Sequence, residues 1–196
     1  MEQDLYNLSP ALRLMTMGLV VAIGPLAWVW LKSRNAPVAQ RLRTLTWVTL
    51  FLTFDLVIFG AFTRLTDSGL GCPDWPGCYG HASPVGAMQQ ITTAQAAMPT
   101  GSVTVPKAWI EMIHRYLATG VGVLILTLAV TTWLERVRAK RKDAEPTQST
   151  ADTLPGGDVV TGSSAEVIPH ISPWWSTFTL AWVCLQGAFG ALTVSM

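Results

Sequence analysis

Charged residues are scarce in this sequence of 196 residues, since Asp, Glu, Lys and Arg together make up only 13%. That fraction is about half of the roughly 25% that is usual in soluble domains. Hydrophobic residues make up 50% of the chain, so a soluble fold would lack the polar surface that it needs. The composition therefore excludes an ordinary soluble domain and favours an integral membrane protein.

Two further absences limit the kinds of macromolecular partner and of metal site that the sequence predicts. The net formal charge is only +1, and no basic stripe with interleaved aromatic residues occurs, so the sequence indicates no nucleic-acid partner. Cysteine is rare as well, with three residues in the whole chain. The stretch around the cysteine pair lacks two further obvious ligands, which makes a metal site there the least favoured interpretation.

Long apolar runs are what the sequence does contain. Four of them have about the 20 residues that a helix needs to cross the hydrocarbon core. The start of the first run is acidic and no small-residue cleavage site follows it, so we interpret it as a retained helix rather than a signal peptide. We predict an all-α membrane protein with one domain over residues 1–196 and four transmembrane helices, at about residues 12–31, 44–63, 109–134 and 174–195.

The basic residues predict the orientation of these helices. They cluster in the first and third loops, whereas the second loop has only Arg64 near its start and Lys107 near its end. Cationic loops stay on the cytoplasmic side of a membrane. We therefore expect both termini and the loop 64–108 on the outer side, with a short surface helix within 83–98. The polar segment 143–171 is predicted to be a disordered cytoplasmic linker.

The stretch Gly71–Gly80, GCPDWPGCYG, contains Cys72 and Cys78 within the loop predicted to face outwards. Two prolines bend the chain between the cysteines, and disulfides persist in oxidising compartments, so we predict a disulfide. Two interpretations of the pair stay open: a structural link in the loop, or a redox-active pair that exchanges electrons with a partner or cofactor.

Ionisable residues stand at the start of the third span, in WIEMIHRYLATG. Glu111 and Arg115 are four residues apart and can form an ion pair on one face of a helix. His114 is either an interfacial histidine bonded to a neighbour or an axial ligand of haem iron. Small residues on the same helix, among them Gly120 and Gly122, would admit either a flat macrocycle or a closely packed helix.

Two residues of the second span are further candidates. Arg64 is either an interfacial anchor or a cation that pairs with a haem propionate. Asp55 lies about 13 Å deeper along the helix, and a carboxyl group at that depth is either a functional candidate or a protonated group that is hydrogen-bonded to another helix.

Three motifs together resemble the haem A synthase family: TRLTDSGLGCPDWPGCYG, then EMIHR, then QGAFGALTV, over about residues 59–194. The resemblance implies half of an eight-helix bundle and the oxidation of a methyl group of haem O to a formyl group, giving haem A for terminal oxidases. It implies His114 as an iron ligand, Glu111 as an acid linked to catalysis, and Cys72 and Cys78 as the outer-loop pair. Arg64 and Arg115 are the expected propionate partners.

The resemblance also sets expectations about context. Haem O is the expected substrate and haem b a second candidate cofactor, in a multi-pass protein of the bacterial inner membrane with both termini in the periplasm. Family members continue beyond the QGAFGALTV motif with further histidines, so we expect a partial or truncated member. Candidate partners are haem O synthase, other oxidase assembly proteins, a second copy of the chain or a missing C-terminal half. The alternative function is a non-catalytic membrane module for haem binding or thiol redox exchange.

Overall fold

The computed structural model of the protein describes residues 9–144 and 172–195. Regular secondary structure in these two ranges is helical, which confirms the all-α class. The nearest approach to a strand in them is an isolated bridge between Cys78 and His81. Five helices follow one another: α1 (Ser9–Lys32), α2 (Val38–Leu65), α3 (Met88–Ala97), α4 (Val105–Ala144) and α5 (Pro173–Ser195).

Three helices in the described ranges are long and apolar enough to cross a membrane. Their candidate spans are Leu12–Lys32, Val38–Leu65 and Val105–Arg141, with mean hydropathies of 1.9, 1.9 and 2.0. These helices identify a membrane protein. The fifth helix, Pro173–Ser195, covers the region of the fourth expected span. It is not among the three, so a fourth crossing stays a prediction.

Helices α2 and α4 are longer than the apolar runs suggest. Helix α2 begins at Val38 directly after Pro37, because the polar residues before the apolar run are good helix formers. Helix α4 begins at Val105 with Pro106 in its first turn, a position where proline is tolerated. It continues to Ala144 because the segment after the apolar run, ERVRAKRKDA, also consists of helix formers. Apart from residues 143 and 144, the predicted linker 143–171 lies outside the described residues.

Helix α4 is the centre of the arrangement, since α1, α2, α3 and α5 all pack against it. Helices α1 and α4 approach each other closely at Gly18 and Gly120. A methyl group on Gly18 would lie 2.3 Å from Cγ2 of Thr119, and one on Gly120 would lie 2.9 Å from Cγ1 of Val21. Glycine at both positions is therefore what allows the two backbones to come together.

The segment between α2 and α4 folds over one end of this bundle. It contains the stretch Gly71–Gly80, called the Cys loop below, and helix α3, which lies within the segment predicted to form a short helix. Both parts pack on the first turns of α4 and on α1. The buried cluster that joins them consists of Leu14, Cys72, Cys78, Ala87, Ile91, Ala108 and Met112. This packing places the Cys loop next to the ionisable residues of α4.

Candidate functional site

The Cys loop is a closed and internally bonded unit. Cys72 and Cys78 form a disulfide, and both residues have 0% of their surface exposed. The carboxylate of Asp74 accepts hydrogen bonds from the backbone N–H groups of Tyr79 (2.5 Å) and Gly80 (2.6 Å). Cys78 and His81 exchange backbone hydrogen bonds of 2.7 and 3.0 Å. The loop and the elements packed against it therefore cover the disulfide, and neither of its sulfurs lies at the surface.

A buried ion pair on α4 holds this loop. Glu111 and Arg115 form a salt bridge one helical turn apart, with only 4% and 8% of their surfaces exposed. The second carboxylate oxygen of Glu111 accepts a hydrogen bond of 2.7 Å from the backbone N–H of Cys72. Nη1 of Arg115 donates to the backbone carbonyls of Asp74 (2.9 Å) and Gly77 (2.6 Å). The pairing of Glu111 with Arg115 agrees with their spacing, and both partners are also bonded to the loop backbone.

Burial of the Glu111–Arg115 ion pair determines how much the loss of one partner would destabilise the fold. A buried charge that loses its partner is left uncompensated, which typically costs about 3–5 kcal/mol. Here each charge has a second set of partners, because loop N–H groups point at the carboxylate and loop carbonyls point at the guanidinium. Removing either side chain would leave the other charge and several backbone groups unsatisfied.

His114 lies between α4 and α2, on the same turn as this ion pair. Its imidazole is half-buried, and its ring stacks on Phe59 of α2 with 6.1 Å between ring centroids. A methyl group on Gly60 would lie 3.0 Å from Nε2 of His114. Neither ring nitrogen has a hydrogen-bond partner within residues 9–144 and 172–195. The structure thus shows no hydrogen bond from His114 to a neighbour in these ranges, and both interpretations of the residue stay open.

The two glycines beyond His114 have different surroundings. Gly120 packs against Val21 of α1, so its missing side chain serves helix packing. Nothing lies within 4 Å of a methyl group placed on Gly122. The sequence left open whether these small residues admit a flat macrocycle or a closely packed helix. Gly120 serves close helix packing, and of these two glycines only Gly122 has open space beside it.

Arg64 and Asp55 do not join the ion pair. The side chain of Arg64 is exposed at the end of α2 from which the loop segment departs. Asp55 is exposed on α2, about 7.5 Å further along the helix axis than Gly60. Its carboxylate makes no hydrogen bond or ion pair with any residue that the structure describes. The site therefore brings together Cys72, Cys78, Glu111, His114 and Arg115, with Arg64 at its edge.

Two residues of the site were not singled out from the sequence. Asp74 fixes the second half of the Cys loop through Tyr79 and Gly80, and Gly60 allows the imidazole of His114 to lie directly against α2. The signal for Asp74 was its place in a turn-rich stretch, where aspartate often accepts hydrogen bonds from following N–H groups. Gly60 carries no signal in a single sequence.

The described residues contain no group of three or more His, Cys, Asp or Glu side chains that could hold a metal ion. A haem iron needs fewer protein ligands than such an ion, because the macrocycle supplies the others. Within the described residues His114 is the candidate for such a ligand, because neither of its ring nitrogens has a hydrogen-bond partner there.

Comparison with known proteins identifies a family for this chain. A family model for COX15-CtaA, described as cytochrome oxidase assembly protein, matches residues 43–196. A heme A synthase from Shewanella oneidensis is 48% identical over 87 residues, which cover 43% of this chain and 26% of that protein. A heme A synthase from Sinorhizobium fredii is 34% identical over 98 residues, or 44% of this chain and 27% of that protein.

A third relative has a different name. A protoheme IX farnesyltransferase from Roseiflexus is 30% identical over 137 residues, which cover 70% of this chain and 20% of that protein. The chain thus spans about a quarter or less of the length of these relatives. No solved structure matches the chain significantly.

Proposed function

Because the chain belongs to the COX15-CtaA family of cytochrome oxidase assembly proteins, we propose that it acts in haem A synthesis as a haem-binding unit. The proposed substrate is haem O, and the reaction is the oxidation of a ring methyl group to the formyl group of haem A. Similarity to two heme A synthases supports this reaction class. Haem b is the candidate for a second bound haem.

The observation that carries the proposal is His114. Its imidazole is half-buried between α2 and α4 and stacks on the ring of Phe59. Neither ring nitrogen has a hydrogen-bond partner among the described residues, so a nitrogen lone pair is available for a metal ion. A haem iron held by His114 would take this lone pair.

The neighbouring residues have separate tasks in the proposal. Arg64 is exposed at the end of α2 and would pair with a propionate of the haem, for which a guanidinium is well suited. Glu111 is the acid linked to catalysis. Its carboxylate is bonded to Arg115 and to the backbone of Cys72.

The chain would span the bacterial inner membrane four times, with both termini and the Cys loop in the periplasm. Cysteine labelling with a membrane-impermeant maleimide tests this orientation in intact cells, in a Cys184→Ser background that removes the free thiol. Ser83→Cys should be labelled and Lys140→Cys should not. Labelling of position 140 from outside would refute the orientation.

The proposed partners are an enzyme that farnesylates haem and a second copy of the chain. One relative is named for farnesyl transfer to protohaem, and an enzyme of that kind would supply haem O. A second copy would offer a further His114 as a haem ligand.

The alternative of a thiol-exchange module is less well supported. Exchange begins with attack of a thiolate on an accessible sulfur. Both sulfurs are covered in the folded chain, so a redox role would require the Cys loop to open first. The structural interpretation of the disulfide is therefore the one that the geometry favours.

Haem binding and turnover test the function. The chain is isolated from membranes supplied with haem O, and the haem absorbance and haem A content are compared between variants. His114→Ala should remove or shift the absorbance, whereas His81→Ala, which removes a loop imidazole, should not. Glu111→Gln, which removes the acid but keeps a side-chain oxygen for the N–H of Cys72, should keep the haem and lower the yield of haem A. An unchanged spectrum and stoichiometry in His114→Ala would refute the ligand assignment.

A further inference from the structure

The guanidinium of Arg115 makes its hydrogen bonds to other groups of the protein. One nitrogen pairs with Glu111, and the other donates to backbone carbonyls of Asp74 and Gly77, with a longer contact of 3.4 Å to the carbonyl of Pro76. Only 8% of the residue is exposed. A haem propionate would need the same donors, so it would have to displace the loop in order to bind Arg115.

The partners of Arg115 require the shape of an arginine. Its planar fork offers donors in fixed directions, which allows one side chain to bond a carboxylate and several carbonyls at once. A lysine ammonium has the same charge but is a compact point charge on a flexible stem. It would keep the attraction to Glu111, whereas the simultaneous bonds to Asp74 and Gly77 would be lost.

His114 has no hydrogen bond of its own in the described ranges to orient its ring. Metal-binding histidines usually donate their second ring nitrogen to a carboxylate, a carbonyl or water, and this bond fixes the ring. Without it, the position of the imidazole depends on the helix turn that carries it and on contact with Phe59 and Gly60. Glu111 and Arg115 stand on either side of His114 in the sequence, and both are bonded to the Cys loop.

We infer that Arg115 is a positioning residue that binds the Cys loop to the helix turn of His114, keeping the disulfide covered and the imidazole in place. The contact with the loop stands independently of haem. The effect on His114 rests on the proposed function, because it concerns the geometry of an iron ligand. Arg64, which is exposed, is then the residue left to bind a propionate.

The test compares four variants of the full chain in detergent, all in a Cys184→Ser background: Arg115→Lys, Arg115→Gln, Arg64→Lys and Arg64→Gln. The first measurement is the rate at which a fixed concentration of a water-soluble phosphine reduces the disulfide, followed by maleimide labelling of the released thiols. The second is the absorbance of bound haem after addition of haem O.

Both Arg115 variants should be reduced faster than the parent chain, by about 10- to 100-fold, because hydrogen bonds to a charged group are lost and the loop opens more often. Both Arg64 variants should be reduced within about twofold of the parent rate, since this side chain does not contact the loop. Arg115→Lys should also shift the haem absorbance relative to the parent chain.

Two results would overturn the inference. The first is a parental reduction rate in Arg115→Lys, and the second is equal acceleration in the Arg64 variants. Arg115→Lys keeps the buried positive charge. If the Arg115→Gln protein does not accumulate in the cell, the comparison of Arg115→Lys with the parent chain is sufficient to test the inference. Absence of haem from the parent chain would refute the proposed function alone, because the reduction rates do not depend on haem.

Discussion

Gly71 is the residue at which the contact between the Cys loop and α4 is most sensitive to a single methyl group. A methyl group on Gly71 would lie 2.5 Å from the backbone carbon of Lys107 and 2.7 Å from the backbone nitrogen of Ala108. Carbon atoms in contact are normally about 3.5–4.0 Å apart. The clashing atoms belong to the first turn of α4 and cannot rotate away, so Gly71→Ala should push the loop outwards by roughly 1 Å.

This displacement also affects the neighbouring hydrogen bond. The N–H of Cys72 lies 2.7 Å from the carboxylate of Glu111, and a shift of about 1 Å takes it beyond the normal range of hydrogen bonds. Overpacking costs about 1–3 kcal/mol, and loss of a hydrogen bond to a charged group costs about 1.5–3 kcal/mol. The free energy of opening the loop should therefore fall by roughly 3–5 kcal/mol, which corresponds to a factor of about 10²–10³ or more in the open population.

Hydrogen exchange of the loop amides, followed by mass spectrometry on the oxidised protein, measures this population. The peptide that contains Cys72 and Cys78 should exchange at least about 100-fold faster in Gly71→Ala than in the parent chain. Gly69→Ala is the matched control, because nothing lies within 4 Å of a methyl group placed on Gly69. Equal exchange in the two variants would refute the docked geometry of the loop.

Glycine contacts at two other positions give further predictions. Gly60→Ala should move the imidazole of His114 and weaken haem binding about tenfold in an optical titration, while Gly122→Ala, with open space around it, should bind haem normally. Equal affinities would place the iron elsewhere. Gly18→Ala should destabilise the contact of α1 with α4 by about 1–3 kcal/mol in denaturant unfolding. Gly24→Ala should be neutral or stabilising, and similar losses in both would contradict the close approach.

The sequence predicts the helices better than it predicts their ends. Length and apolarity alone identify the three spans of α1, α2 and α4, because the thickness of a bilayer fixes how many apolar residues a helix needs. The ends differ because a helix does not stop where the apolar run stops. At Val38 and after Leu134, polar helix formers continue the hydrogen-bond pattern into the region outside the hydrocarbon.

The site shows a similar division between local and distant contacts. The pairing of Glu111 with Arg115 follows from their spacing of four residues along one helix. The bonds from Arg115 to the carbonyls of Asp74 and Gly77 bridge 41 and 38 residues. Every residue except proline has the same backbone N–H and C=O groups. The pattern of side chains in the sequence therefore does not predict which backbone carbonyls bond to Arg115. Only the fold brings them together.

The burial of the disulfide sets an order of events during biogenesis. The Cys loop precedes α4 in the chain, so Cys72 and Cys78 are synthesised before the helix that will cover them. Once the loop has docked, neither sulfur can be reached by an oxidising enzyme. Oxidation is therefore expected before the loop docks on α4. A chain that docks in the reduced state must undock before it can be oxidised, which makes the timing of oxidation a step in the maturation of this protein.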